Sequence, residues 1–142
     1  MMTANEKKSL ETAFAAIVGP ENTMQSEVDL HAYSYDAAPL DPVLPGFVVR
    51  PCSCEALGKT VRFCSENGLP LTVRGAGTNL SGGTIPHPGG VVLLTNGLTR
   101  ILEINEEDLY AIVEPGVITA NLASKVTALG LFYPPDPGSQ TV

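Results

Sequence analysis

The sequence predicts an α+β domain: a small parallel β-sheet with flanking helices, followed by a β-hairpin. Three observations predict it. Two short apolar runs, FVVRP (47–51) and LPLTVR (69–74), bracket an amphipathic stretch. That strand–helix–strand order is the order of a parallel pair joined by a crossover helix. A third apolar run, VVLLT (91–95), reads as another strand. Finally, ILEI (101–104) and YAIVEPG (110–116) flank the polar tetrapeptide NEED, the pattern of two antiparallel strands and a solvated turn.

The elements follow in chain order. NEKKSLETAFAAIVG (5–19) carries Leu10, Phe14 and Ile17 at i, i+4 and i+7, a helical stripe that Gly19-Pro20 stops. Pro39, Pro42, Pro45 and Gly46 make the next stretch an extended arm. After the strand at 47–51, Ser53 is placed to cap a helix running to Asn67-Gly68, with Leu57, Val61 and Cys64 on its apolar stripe. Beyond the hairpin, Thr119 is placed to cap a last helix. Its stripe is Leu122, Val126 and Leu129, and Gly130 is its stop. FYPPDPGSQTV (132–142) is a proline-rich loop. A compact domain seldom stops inside such a loop, so the chain is expected to be the front part of something larger.

Composition narrows the function. Apolar residues are 44% and charged residues 16% of 142, which fits a folded globular chain. A chain of this length buries roughly 70% of its unfolded surface, enough for a core. The net charge is −7, from 15 acids against 8 bases, with no basic cluster to serve a nucleic acid. A bound phosphate must therefore be held mainly by backbone N–H groups. No stretch approaches the roughly 20 apolar residues of a membrane span, and MMTANEKKSLETAF has no long apolar leader. The expected location is the cytoplasm, with peripheral membrane association still compatible.

VRGAGTNLSGG (73–83) holds more glycine than a turn requires. A phosphate-binding P-loop would need a lysine after the second glycine, but Gly82 is followed by Gly83 and Thr84. A Rossmann fingerprint fits Gly75 and Gly77 but meets leucine at position 80, and Pro86 and Pro88 break the helix that should follow. The remaining option is a turn of consecutive N–H groups forming an anion-binding concavity. Gly75 and Gly77 would supply positive φ and leave the ligand's approach open. Thr78, Asn79 and Ser81 would add short donors. The bland reading is a loop that merely turns the chain.

RGAGTNLSGG (74–83), taken with the Pro-Gly-Val at 115–117 and YPPDPGS at 133–139, resembles the flavin-binding half of FAD-linked oxidases. The resemblance is to the group of glycolate oxidase flavin subunits and D-lactate dehydrogenases, with FAD domains of the vanillyl-alcohol-oxidase type. It runs from about Pro39 to Val142. It implies the N-terminal portion of a PCMH-type FAD-binding domain, incomplete over 39–142, preceded by a helical segment and arm over 1–38. It implies that Arg74, Gly75, Ala76, Gly77, Thr78, Asn79, Leu80, Ser81 and Gly82 wrap the FAD pyrophosphate. It also implies that Pro135, Asp136, Gly138 and Ser139 approach the flavin end. Some relatives attach FAD covalently through a histidine just after the paired glycines. The matching residue here is Thr78, so the resemblance implies non-covalent FAD.

The implied reaction is oxidation of a small 2-hydroxy acid, hydride passing to the flavin, with substrate residues and the general base beyond Val142. The chain alone would then bind FAD weakly or not at all and be inactive. Implied partners are the rest of the enzyme or an electron-transfer subunit. An enolpyruvyl-type reductase or another FAD oxidase is the alternative within flavoproteins. A non-catalytic, self-associating interaction module, hence a homo-oligomer, is the alternative of another class.

Other residues have simpler readings. Cys52, Cys54 and Cys64 are too few for a closed zinc site and read as structural thiols, with no metal expected. His31 and His87 have no carboxylate or serine constellation nearby in sequence and read as solvated or locally bonded. Glu103, Glu106, Glu107 and Asp108 are too closely bunched for a calcium loop and read as a solvated turn. Tyr33, Tyr35 and Asp36 would either border a ligand or pack the arm onto the domain.

Overall fold

The computed structural model describes residues 3–141. Val142, at the end of the expected loop, lies outside the described residues. The chain divides into two compact units between Gly97 and Leu98.

The first unit begins with α1 (Ala4–Val18), opened by a reciprocal cap in which Thr3 and Glu6 satisfy each other's backbone N–H. A 3₁₀ turn (Pro20–Asn22) leads into β1 (Thr23–Met24), and α2 (Glu27–Ala32) follows, capped by Ser26. The arm then delivers the chain to β2 (Phe47–Val49), α3 (Cys54–Glu66), β3 (Leu71–Arg74) and β4 (Val91–Leu94). Ser53 caps α3 as expected, its hydroxyl accepting the Ala56 N–H at 3.1 Å.

The four strands form one sheet in the order β1-β2-β4-β3. The strands at 47–49 and 71–74 are parallel, but they are not the adjacent pair that the strand–helix–strand pattern suggests. β4 inserts between them and is parallel to both, with Val48 opposite Val92 and Val73 opposite Leu93. Burial explains the choice. All four residues of β4 are buried, whereas Val73 of β3 is 55% exposed. The two wholly buried strands, β2 and β4, take the interior of the sheet and leave β3 at its edge.

Alternation splits the core in two. Phe47, Val49, Val91 and Leu93 face α1 and α3, where Phe14 packs tilted against Phe47 at 5.3 Å and edge-on to Phe63 at 5.1 Å. Val48, Val92 and Leu94 face the other way, toward Leu30 of α2, Met24 and Tyr33. β1 and α2 are too short to leave a periodic signal in sequence. The buried stripe of α3 also differs from expectation. Thr60, its hydroxyl donating to the Ala56 carbonyl at 2.8 Å, is fully buried and Val61 is turned out.

The second unit holds the expected hairpin, β5 (Ile101–Asn105) and β6 (Tyr110–Val113), with a bulge between Ile101 and Glu103. Its acidic turn is organised by Asn105, whose side-chain oxygen accepts the N–H groups of Glu107 and Asp108. α4 (Thr119–Thr127) follows. Here the cap differs from expectation: Ile118 occupies the N-cap and makes no side-chain bond, and Thr119 is already helical. Leu122 and Val126 are buried as the stripe requires, but Leu129 lies past the helix end and is exposed.

Candidate functional site

The glycine loop leaves the C-terminal end of β3, the end of a parallel sheet where ligands usually bind. It runs irregularly to Gly90 and is stitched to the arm. Gly46 N–H donates to Gly90 O at 2.7 Å, Gly89 N–H to Leu44 O at 3.1 Å, and Leu40 packs its methyl where a Cβ on Gly82 would stand.

Two side chains set the shape of the loop from beneath. Arg74 is 7% exposed, donates to the Tyr35 carbonyl at 2.5 Å and lies with its guanidinium 5.6 Å from the centre of the Tyr33 ring. Asp36, also 7% exposed, is the hub of a polar cluster. Its carboxylate accepts from Asn79 Nδ2 at 2.6 Å, from Ala38 N at 2.9 Å, and from the Thr84 hydroxyl and N–H at 3.3 and 3.4 Å. The Thr84 hydroxyl also reaches Asn79 Oδ1 at 2.9 Å. Burial alone would raise the Asp36 pKa. The donors from Ala38, Asn79 and Thr84 outweigh it and hold the carboxyl below its ordinary range.

Two glycines are required by the fold and two are not. Gly77 (φ +75°) and Gly82 (φ +72°) are left-handed, and a Cβ on Gly77 would collide with the Arg74 guanidinium. Gly75, expected at positive φ, does not adopt it. A Cβ there would meet only Thr95 Oγ1, at an ordinary 3.8 Å. Gly83 is likewise unstrained, with its nearest contact at 3.6 Å. Neither the backbone nor the packing of the protein calls for glycine at 75 or 83.

The outer face of the loop is open. Gly75, Ala76, Thr78, Leu80 and Ser81 are exposed. Among the described residues, no main-chain N–H from Gly75 through Gly83 donates a hydrogen bond. Asn79 is turned inward, its amide engaged by Asp36, so it supports the loop instead of offering the outward donor expected of it.

The second sequence motif belongs to the second unit. Pro135, Asp136, Gly138 and Ser139 are all exposed. Asp136 accepts a hydrogen bond from the Gln140 side chain, and Gln140 O takes the Ala120 N–H at the start of α4. Upstream, Glu114 is 3% exposed and accepts from the Arg100 side chain at 2.7 and 2.9 Å and from its backbone N–H at 2.7 Å. The Arg100 side chain, helped by its N–H, holds the Glu114 carboxyl below the usual range. Just beyond, Gly116 N–H donates to Leu98 O, fixing the Pro-Gly-Val turn within this unit.

The remaining candidates fall outside these sites. Cys64 is buried in the core, but Cys52 and Cys54 are exposed, so the structural reading holds for Cys64 alone. Among the described residues, no three His, Cys, Asp or Glu side chains converge as a metal site would need. His31 and His87 are exposed. Of the two roles open to the arm, Asp36 and Tyr33 take the supporting one. Thr84 joins them, a residue that sequence reasoning misses. Thr84 and Asp36 are separated by more sequence than any periodic pattern spans, so no local signal could have paired them.

An irregular, glycine-rich loop after a parallel strand, with no helix following it directly, departs from the Rossmann pattern. The FAD binding domain family matches residues 45–142, and the chain belongs to that family. It is 43% identical over 135 residues to glycolate oxidase subunit GlcD of Bacillus subtilis (strain 168), covering 95% of this chain and 29% of that protein. It is 37% identical over 94 residues to D-lactate dehydrogenase of Archaeoglobus fulgidus, covering 66% of this chain and 21% of that one. Among solved structures, p-cresol methylhydroxylase superposes with a TM-score of 0.79 at 25% identity, over 92% of this chain and 26% of that one. The 4-ethylphenol oxidase from Gulosibacter chungangensis superposes at 0.78 and 30% identity, over 91% and 26%. The PCMH-type fold expected from the motifs is therefore present. The chain spans less than a third of the length of these relatives.

Proposed function

We propose that this chain is the N-terminal part of the FAD-binding domain of a flavin-dependent dehydrogenase or oxidase acting on a small 2-hydroxy acid of the glycolate or D-lactate type. The observation that carries the reading is the row of unengaged N–H groups from Gly75 to Gly83, in a largely exposed loop braced by the Arg74 and Asp36 side chains. Such a row suits a diphosphate held without lysine. Gly75 and Gly83 fit the same purpose, because the protein itself leaves room for a side chain at both.

The roles follow residue by residue. Arg74 to Gly82 form the pyrophosphate cradle, acting through backbone, with Arg74 and Asn79 shaping it. Pro135, Asp136, Gly138 and Ser139 serve the flavin end. Thr78 has no imidazole with which to form a covalent link, so the cofactor is held non-covalently. Bound FAD supplies the two-electron acceptor for oxidation of the hydroxy acid. No residue of this chain is assigned a catalytic role. Residues 39–142 form the first part of the domain, with 1–38 as a helical segment and arm. The rest of the enzyme and an electron-transfer subunit are the proposed partners, and the cytoplasm is the proposed location. Among the described residues, no helix is long and apolar enough to cross a membrane.

The test is acid precipitation of the purified full-length parent protein. Flavin should be present and should pass wholly into the supernatant. A colourless protein that takes up no added FAD, or flavin that stays with the pellet, would refute the assignment or its non-covalent part respectively. In a separate titration, residues 1–142 alone should bind FAD weakly or not at all.

A further inference from the structure

We propose that Asp36 is a positioning residue for the cofactor, its buried carboxylate acting as an internal template on which the glycine loop takes its binding shape. The proposal rests on the FAD assignment above and adds to it a residue outside the glycine motif. Asp36 belongs to the arm, yet it gathers donors from two separate points of the loop: Asn79 in the middle and Thr84 just past the paired glycines. Ala38 N–H fills a further acceptor position, and Thr84 closes the ring by reaching Asn79. The carboxylate thus does from the inside what a bound anion would do from the outside: it collects donors and fixes the curvature between them.

The chemistry requires an ionised acid at this position. The Asn79 amide donates to Asp36 and accepts from Thr84, so its orientation is set by the pair. An amide at position 36 has one acceptor oxygen, so its NH2 would face either the Ala38 N–H, which Oδ1 now accepts, or the Asn79 and Thr84 donors, which Oδ2 now accepts. In either case the backbone of residues 77–82, whose N–H groups make no hydrogen bond among the described residues, would lose its support. Preorganisation of a site depends on such a supporting shell, and its loss appears in how long the ligand stays.

The experiment uses the full-length protein and reads FAD release by the rise in flavin fluorescence on dilution, alongside the melting temperature of the apoprotein. Asp36→Asn and Asn79→Asp should each release FAD about tenfold faster, as expected for loss of one charge-assisted hydrogen bond. The double variant Asp36→Asn/Asn79→Asp restores a donor–acceptor pair with reversed polarity and should release FAD within about threefold of the wild-type rate. A purely structural role would lower the apoprotein melting temperature and leave release unchanged, and would overturn the proposal. So would a double variant no slower than the singles. Thr84→Val, which removes only a hydroxyl, serves if Asp36→Asn does not fold. Faster release supports the template, and an unchanged rate overturns it. A wild-type protein that holds FAD firmly while every variant does the same defeats this inference alone. A wild-type protein without FAD defeats the functional assignment beneath it.

Discussion

The side-chain amide of Asn79 donates to the carboxylate of Asp36 at 2.6 Å, joining the glycine loop to an arm 43 residues earlier in the chain. The contact braces the loop through a side chain and leaves the main-chain N–H groups of residues 75–83 without a partner among the described residues. It also makes the loop's stability depend on one buried acid, and that dependence has a definite direction with pH.

The folded-state pKa of Asp36 lies below its ordinary 3.8, because the donors from Ala38, Asn79 and Thr84 outweigh the opposing effect of burial. A depressed carboxylate contributes stability that is fully present above the unfolded-state value and is lost as pH falls through the folded one. The melting-temperature difference between wild type and Asp36→Asn should therefore be constant near neutrality and shrink once pH drops below 3.8. A difference that grows on acidification would contradict the network.

The glycines should separate by purpose. Gly77→Ala places a Cβ in the left-handed region and against the Arg74 guanidinium, and should cost at least ~1–2 kcal/mol in denaturant unfolding. Gly75→Ala meets nothing closer than 3.8 Å, and should leave unfolding unchanged while weakening FAD retention in the full-length protein.

Gly58 provides the opposite sign. It sits inside α3, exposed, with open space where a methyl group would stand, so Gly58→Ala should stabilise the fold by about 0.5–1 kcal/mol. Thermal unfolding of the variant beside wild type measures the gain.

Phe14 is wholly buried between Phe47 and Phe63, and Phe14→Ala should cost about 3–5 kcal/mol through lost burial and the cavity left behind. Urea unfolding measures it.

The thiols should divide by burial. Cys52 and Cys54 are exposed, whereas burial pushes the Cys64 thiol up to about 11. An alkylating reagent at neutral pH should modify Cys52 and Cys54 in the folded protein and reach Cys64 only after unfolding. Prompt modification of Cys64 would mean that the core opens locally.

Much of this molecule is determined by the sequence alone. Periodicity places α1, α3, the hairpin and the apolar strands, because a helix or strand long enough to bury a face must repeat its apolar residues at that element's own spacing. The glycine motif and the absence of a basic cluster are what make the sequence suggest an anion held mainly by backbone N–H groups. Tertiary structure decides the rest. β4 lies between β2 and β3 because strand order follows which strand can be buried on both faces, a comparison made across the whole sheet. Asn79 points inward because a carboxylate from the arm waits there, and Gly77, not Gly75, takes the left-handed turn, with the Arg74 guanidinium where its Cβ would stand. Those choices depend on residues brought together from distant parts of the chain, which no local pattern encodes.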